Sequence, residues 1–556
     1  MGRVRFQVII ALVAILGLAL VLAYVAFRVN RVTVPEAGGI YVEGLAGTPQ
    51  TVNPLLSQAN PVDQDLVALI YSGLTRADER GRIQPDLATS WDISAGGTIY
   101  TFHLREDVTW HDGAPFSARD VIFTVGLMQD PAFQGAAFLS DLWRNVAAEA
   151  LSEYTVRFTL REPYAPFLDY TTIGVLPAHI LRAVEPGRLA ESDFNGSPVG
   201  TGPFRVEDVT ALHMVLVPFE GYYGQPPYLE RLELRFYPDT PSVFEGRKRG
   251  EVQGLARVLP EYLDVVRKDD DLALYTGPLA GYNLVILNLD RPVFQSVDVR
   301  QAMMYALDRQ ALVDEVLGGQ GIVIHSPILP HSWAYDPNVP KYTHDLAKAR
   351  AILDDSGWYD HDGDGIREQG AFKLEFALVT NDDDPVRVKL VQAISEQLRE
   401  VGIQANPTLV SWDTLVSEHL RLRRFDAVLT GWQTLPPDPD PYPYWHSSQA
   451  TDDGLNFAGY VSGDSDRVLA AARLTPEEAE RAALYAEFQA YFAEDVPSLL
   501  LYQPVYAYAV DDEIMGVQIG MISEASDRFR NIAEWYTSTQ RMLYTEAREK
   551  GLVDER

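Results

Sequence analysis

Trp110-His111-Asp112-Gly113-Ala114-Pro115-Phe116-Ser117-Ala118-Arg119-Asp120-Val121 spells out a turn followed by a helix start. Asp112-Gly113 makes a tight turn. Ser117 stands where an N-cap side chain accepts a backbone N–H from the first turn of a helix. His111 beside Asp112 has the composition of a catalytic dyad, but an exposed Trp-His-Asp-Gly turn explains the same residues. Two stretches flanking this segment, 98–104 and 155–160, read as strands of a separate unit.

Outward from there the chain is mixed α/β. Thr475-Pro476-Glu477-Glu478 offers an N-cap, a proline at the first helical position and a capping-box acid ahead of the apolar face Ala483, Leu484, Phe488, Tyr491. That helix is expected to reach about Glu494. Further helices are expected over 299–316, stopped by Gly318-Gly319, and over 386–401, stopped by Gly402. Between them 282–289, 372–379 and 425–429 are rich in β-formers, so the alternation argues for open sheets flanked by helices. Gly200-Thr201-Gly202-Pro203 forces a sharp entry into a strand. No tandem repeat or low-complexity segment interrupts the pattern.

Composition narrows the function. With 556 residues, 47% hydrophobic and 22% charged, the chain buries a large core divided among domains. Its 46 Lys and Arg against 78 Asp and Glu give a formal charge of -32, which repels phosphate backbones, so nucleic acid is not an expected partner. No cysteine is present, which removes thiol nucleophiles, thiolate metal sites and disulfides together.

At the N-terminus Arg3 and Arg5 precede an uncharged, mostly apolar run from Phe6 to Phe27, closed by Arg28. At ~1.5 Å per residue a helix over this run is about 33 Å long, enough for a hydrocarbon core of roughly 30 Å. Small residues with cleavage-site spacing are poorly represented, which favours an uncleaved transmembrane anchor over a signal peptide. With no second long apolar run, the rest of the chain is expected outside the cytoplasm, membrane-anchored and periplasmic or cell-surface, after a short polar linker over 30–39.

Catalytic signatures are missing. There is no P-loop, no His-Glu-x-x-His and no Gly-x-Ser-x-Gly elbow, and Gly200-Thr201-Gly202 lacks the third glycine of a dinucleotide turn. A secreted glycoside hydrolase would share the acidic, aromatic composition. Asp438 and Asp440, however, lie two apart on one loop and are poorly placed to flank a glycosidic bond from opposite sides. No catalytic residue is assigned.

The Trp110–Val121 segment, preceded by Tyr100-Thr101-Phe102-His103-Leu104-Arg105, resembles the signature of family 5 extracellular solute-binding proteins, the oligopeptide-, dipeptide- and nickel-binding proteins of bacterial ABC importers. Similar matches in the same order are Pro85-Asp86-Leu87-Ala88-Thr89-Ser90-Trp91, Val199-Gly200-Thr201-Gly202-Pro203-Phe204, Val299-Arg300-Gln301-Ala302 with Ala306-Leu307-Asp308-Arg309, and Asn456-Phe457-Ala458-Gly459-Tyr460. The resemblance implies a bilobal, three-domain periplasmic-binding-protein clamshell of type II, closing by hinge motion. Residues 1–37 are an anchor or signal segment and linker. One lobe has a core of 38–59, 196–275 and 505–545 with an inserted domain at 60–195, and the other lobe is 276–504. The implied role is delivery of a peptide-like or oligosaccharide-like ligand to ABC permease subunits by a monomer, with no catalysis. A ligand sensor or docking protein on the same fold is the alternative.

The resemblance also implies where ligand sits. Gly431, Trp432 and Gln433 match a strand end that contacts ligand, with Trp432 either stacking on ligand or packing between domains. Gln58 and Asn60 match a loop of the opposite lobe, and Tyr282 and Asn283 lie where the chain crosses between lobes. Peptide-binding members place an aspartate three residues after this Trp to pair with a free amino group; here Leu435 holds that place and Asp438 is the nearest acid. The expectation is that free-amine peptides bind weakly and uncharged ligands, such as oligosaccharides or blocked peptides, bind better. No cofactor is expected. Asp360, Asp362, Asp364 and Glu368 match part of a calcium loop, but Ala371 stands where a bidentate Glu is needed, and Asp-Gly turns explain the same residues.

Overall fold

The computed structural model describes residues 15–17, 31–94, 96–433, 435–436 and 438–553. Apart from 15–17, the expected anchor over 6–27 lies outside these residues. Among the described residues no helix is long and apolar enough to cross a membrane. The expected linker is corrected: Arg31–Glu36 is a strand, antiparallel to Ser538–Leu543. Val32 and Val34 alternate toward Met542 and Ala547, which is the period-2 signature of a half-buried strand.

A twelve-stranded mixed sheet organises the molecule around one long strand, Ser498–Asp511. Its first part pairs with Tyr282–Leu287, its last part with Leu272–Pro278, and Gly321–Val323 joins at the middle. On one side the sheet continues through Ala427–Trp432, Glu375–Asn381 and Gln404–Val410, on the other through the short Gly254–Leu255, then Ile40–Ala46, Arg231–Tyr237, His213–Pro218 and Phe204–Val209. At its start Leu499 and Leu501 enter a core with Val285, Phe376 and Leu429 while Leu500, alternating, faces another; at its end Tyr506, Tyr508 and Val510 enter a core with Tyr41, Leu66 and Trp535 while Ala507 and Ala509 face away.

The separate unit foreseen around the opening motif is a four-stranded antiparallel sheet of Ala88–Ile93, Ile99–Leu104, Thr155–Leu160 and Val146–Ser152. Phe102, Phe158, Trp143 and Phe167 pack edge to face against it. Ser117 caps the helix Ala118–Gln129 in a reciprocal capping box with Asp120. The turn before it is exposed at Asp112 and Gly113, as expected, but not at the two residues that precede them. Trp110 is fully buried. His111 is half-buried: its Nδ1 accepts from the Gly200 amide at 3.2 Å and its Nε2 donates to the Gly202 carbonyl at 3.0 Å. Those partners fix one neutral tautomer, and burial lowers the imidazole pKa to about 4. Two motifs far apart in sequence are thereby one joint.

The glycines of 200–203 serve close approach rather than an unusual φ. A Cβ at Gly200 would collide with the Ile70 carbonyl oxygen, and one at Gly202 would sit 2.6 Å from the Ile70 carbonyl carbon. Four expected elements shift. The strand over 372–379 is two, Phe372–Lys373 in a small hairpin with Glu368–Gln369 and Glu375–Asn381 in the large sheet. The helix over 299–316 is two, Val297–Ala306 and Arg309–Val316, because Asp308 caps the second through the Ala311 amide at 3.0 Å. The helix expected from Thr475 runs over Glu478–Asp495, and Thr475 instead closes Gly463–Leu474. The strand over 425–429 is Ala427–Trp432, so Trp432 is its last residue.

Candidate functional site: a cleft beside the crossing strands

The chain passes between the two sheet halves twice, once from Pro278 to Tyr282 and once through Tyr502–Val505. Gln503, fully buried between them, donates from Nε2 to the Leu279 carbonyl at 2.7 Å. Ala280 donates to the Ile522 carbonyl at 2.6 Å and accepts from the Leu435 amide at 2.7 Å. One residue of the crossing is therefore tied to both sides.

Against this crossing lies a cleft of about 440 Å³. Arg80, Ile83 and Asp169 line it from one side, and Tyr282, Trp333, Asp438, Tyr444 and Arg481 from the other. Four of the expected site residues have a place here or directly behind it. Tyr282 and Leu435 line the cleft, and the Tyr282 hydroxyl accepts from Trp445 Nε1 at 3.4 Å. Asp438 lines it as well, but both its oxygens accept from one Arg481 nitrogen, at 2.7 and 2.8 Å. Trp432 is behind the lining, half-buried, with Tyr444 at 4.4 Å and Phe457 stacked at 5.6 Å between ring centroids. Its Nε1 is buried and has no hydrogen-bond partner among the described residues.

The others are placed elsewhere. Gly431 pairs with Asn283 in the ladder, and a Cβ there would lie 2.8 Å from Asn283 Oδ1, so glycine admits that side chain. Gln433 is exposed. Gln58 donates to the Pro54 carbonyl at 2.7 Å, and Asn60 caps the helix Pro61–Ile70 through the Val62 amide at 2.9 Å while donating to the Thr48 carbonyl. A local backbone bond at Gln58 and a cap at Asn60 thus engage both side chains away from the cleft lining.

Contacts across the cleft are direct. The Asp438 amide donates to Asp169 Oδ2 at 3.1 Å. Arg473, held bidentate by Asp440, lies over the Tyr164 ring at 5.8 Å. Burial and the neighbouring Asp438 charge raise the Asp169 pKa to about 7; burial raises that of Asp438 to about 6, with Arg481 opposing. Asp169, Arg481 and Trp333 were not read from the sequence. Arg481 left a signal, a lone cation on the face that carries Tyr485, Phe488 and Phe492. Asp169, in the short 3-10 segment Ala165–Thr172, left none.

The candidate calcium loop holds its charges differently. Asp360, Asp362 and Glu368 approach one another, but Lys373 Nζ donates to Asp362 at 2.9 Å and also to Asp364. Asp360 accepts from the Gly363 and Gly365 amides, and Glu368 from the His361 amide. An ammonium therefore stands where a cation would bridge Asp362 and Asp364, and backbone amides take the other carboxylates.

Residues 82–454 match the family model of bacterial extracellular solute-binding proteins, family 5. The chain belongs to this family. It is 31% identical to the oligopeptide-binding protein AppA of Bacillus subtilis over 87% of this chain and 89% of that protein. It is 26% identical to the dipeptide-binding protein of Escherichia coli over 93% and 97%. Among solved structures, AppA in complex with a nonapeptide is similar with a TM-score of 0.69 at 29% identity, covering 91% of this chain and all of that one. NikZ of Campylobacter jejuni in complex with Ni(L-His) gives 0.71 at 28%, covering 89% and 99%. The family consists of binding proteins, and the α/β class with mixed sheets expected from the sequence is the one found; the transmembrane helix expected with it is not among the described helices.

Proposed function

We propose that this family 5 protein is the extracytoplasmic receptor of an ABC importer, which closes its two halves around a ligand and presents it to permease subunits. The observation that carries this reading is a cleft whose lining comes from both sides of a two-pass crossing, with direct polar contacts between the sides. Such a cleft closes only as far as ligand prefers the closed form, so the ligand must touch both sides. The division into a lobe of 38–59, 196–275 and 505–545 with an insert at 60–195, and a lobe of 276–504, fits the crossing at 278–282 and 502–505. The strand Arg31–Glu36 extends the first lobe at its start. A single chain forms the whole cleft, in keeping with a monomer, and the apolar run over 6–27 would tether it to the membrane.

The relatives' peptide and nickel–histidine ligands make a peptide-like ligand the leading class, with oligosaccharides as the competing one. Aromatic rings at Tyr282, Trp333 and Tyr444 suit either. Mass spectrometry of what co-purifies with the protein identifies the class. Ligand-dependent stimulation of a co-purifying permease's ATPase is the outcome expected of an importer; ligand binding without such stimulation would leave a sensor.

A further inference from the structure

The two sides also meet away from the cleft lining. One face of that meeting belongs to the unit built on the four-stranded sheet: Gly97 stands in the turn between Ala88–Ile93 and Ile99–Leu104, and Tyr164 follows the strand Thr155–Leu160. The other face is the end of the helix Gly463–Leu474 and the residues after it, Arg473 to Pro476. A Cβ at Gly97 would lie 3.3 Å from Pro476 Cγ, so the two turns touch. Arg473 reaches across beside them. Its guanidinium lies over two rings, Tyr442 of its own side at 4.2 Å from the centroid and Tyr164 of the opposite side at 5.8 Å. Asp440 fixes it in that place, because Arg473 Nε donates to both Asp440 oxygens at 3.0 Å and Nη2 donates to one of them. The Tyr164 hydroxyl is engaged by Tyr170 of its own side, which leaves the ring for Arg473. Gly97, Tyr164, Arg473 and Pro476 are all outside the cleft lining.

We propose that Arg473 and Tyr164 form a latch between the two halves, which favours the closed receptor whatever ligand the cleft holds and so sets affinity without touching ligand. Both are positioning residues. The latch rests on the receptor reading, since it has a task only in a molecule whose halves open and close. A guanidinium within about 6 Å of a tyrosine ring is drawn to the negative face of that ring. This contact forms only when the halves meet, so it adds the same free energy to closure with every ligand. It therefore tightens all ligands by one factor and discriminates among none, as long as the open form prevails in their absence. Closing also orders little that was loose before. Asp440 and Tyr442 already hold Arg473, and Tyr170 already holds Tyr164, so the contact forms with a small loss of side-chain freedom.

The test exploits the absence of cysteine: Glu149→Cys on the four-stranded sheet and Gln392→Cys on the helix Pro385–Arg399, both exposed, each take one spin label. Pulsed electron resonance reads the distance between the labels on the full chain in detergent, first without added peptide and then across a titration with a pool of tetrapeptides. Without peptide, the ratio of short- to long-distance populations is expected to fall at least ~5-fold in Tyr164→Ala and to stay within ~2-fold of the parent in Tyr164→Phe, which keeps the ring. In an Arg473→Met background, Tyr164→Ala is expected to change the ratio no further, as a pairwise contact requires. A ratio that Tyr164→Ala leaves unchanged would overturn the latch. An equal fall in Tyr164→Phe would overturn it too, since the hydroxyl and not the ring would then hold the halves. The peptide titration reports on the receptor reading separately. A shift to short distances with peptide in both the parent and Tyr164→Ala upholds that reading whichever way the latch falls; no shift in the parent counts against closure on peptide, and the peptide-free comparison still decides the latch.

Discussion

Trp432 closes its strand with its indole between Tyr444 and Phe457, so the ring facing the cleft is Tyr444 and the ring holding it is Trp432. Trp432→Ala is expected to cost about 3 kcal/mol of stability, the low end for a buried Trp because this one is half-buried, and to weaken ligand retention through Tyr444. Tyr444→Ala is expected to weaken retention with a smaller stability loss. Urea unfolding beside retention measurements separates the two roles, and full stability with lost binding in Trp432→Ala would put the indole on the ligand. His111 gives a pH prediction. Its pKa in the fold is about 4, below the ordinary value, so the unfolded chain binds more protons. Stability is therefore full above about pH 6.5 and falls as pH drops toward 4, by up to about 3 kcal/mol from this residue alone. His111→Ala is expected to be less stable at neutral pH and to lose that part of the acid dependence in urea titrations.

At the scale of elements, much was legible because it is local. The capping box at Ser117, the strands around 99–104 and 155–160 and the helix Pro385–Arg399 follow from periodicity and punctuation. What was not legible depends on partners distant in sequence. Arg31–Glu36 is a strand because Ser538–Leu543 lies beside it. Gly200 looks like a turn residue and is in fact a spacer against the Ile70 carbonyl. Gly200→Ala is thus expected to destabilise by more than about 2 kcal/mol through overpacking against backbone that cannot yield, measurable as a lower urea midpoint. Unchanged stability would return Gly200 to a simple turn role. The buried join among the strands 40–46 and 498–511, the helix Pro61–Ile70 and the segment 525–529 was equally invisible. There Arg528, fully buried, bonds Glu43 at 2.7 Å and Asp65 at 2.6 and 2.7 Å, while the Tyr508 hydroxyl donates to Glu43 at 2.9 Å. Arg528→Ala leaves two buried carboxylates without their cation and is expected to cost about 3–5 kcal/mol. A loss under about 1 kcal/mol would mean that the carboxylates are neutral in the fold.

For the whole molecule, the dispersed motifs disclosed the scaffold and the order of its parts, since each is a turn, cap or close approach that the scaffold requires. The cleft was only partly disclosed. Tyr282, Leu435 and Asp438 could be picked out along the chain, whereas Asp169 and Arg481 become site residues only when the sides meet across the crossing at 278–282 and 502–505. Among the described residues that crossing joins two separately packed cores through one sheet, beside the cleft. The measurement that tests this most directly is small-angle scattering of the chain begun at Arg31, ligand-free and saturated with whatever ligand co-purifies. The account predicts a fall in radius of gyration on saturation, and an unchanged value at full occupancy would contradict closure around ligand.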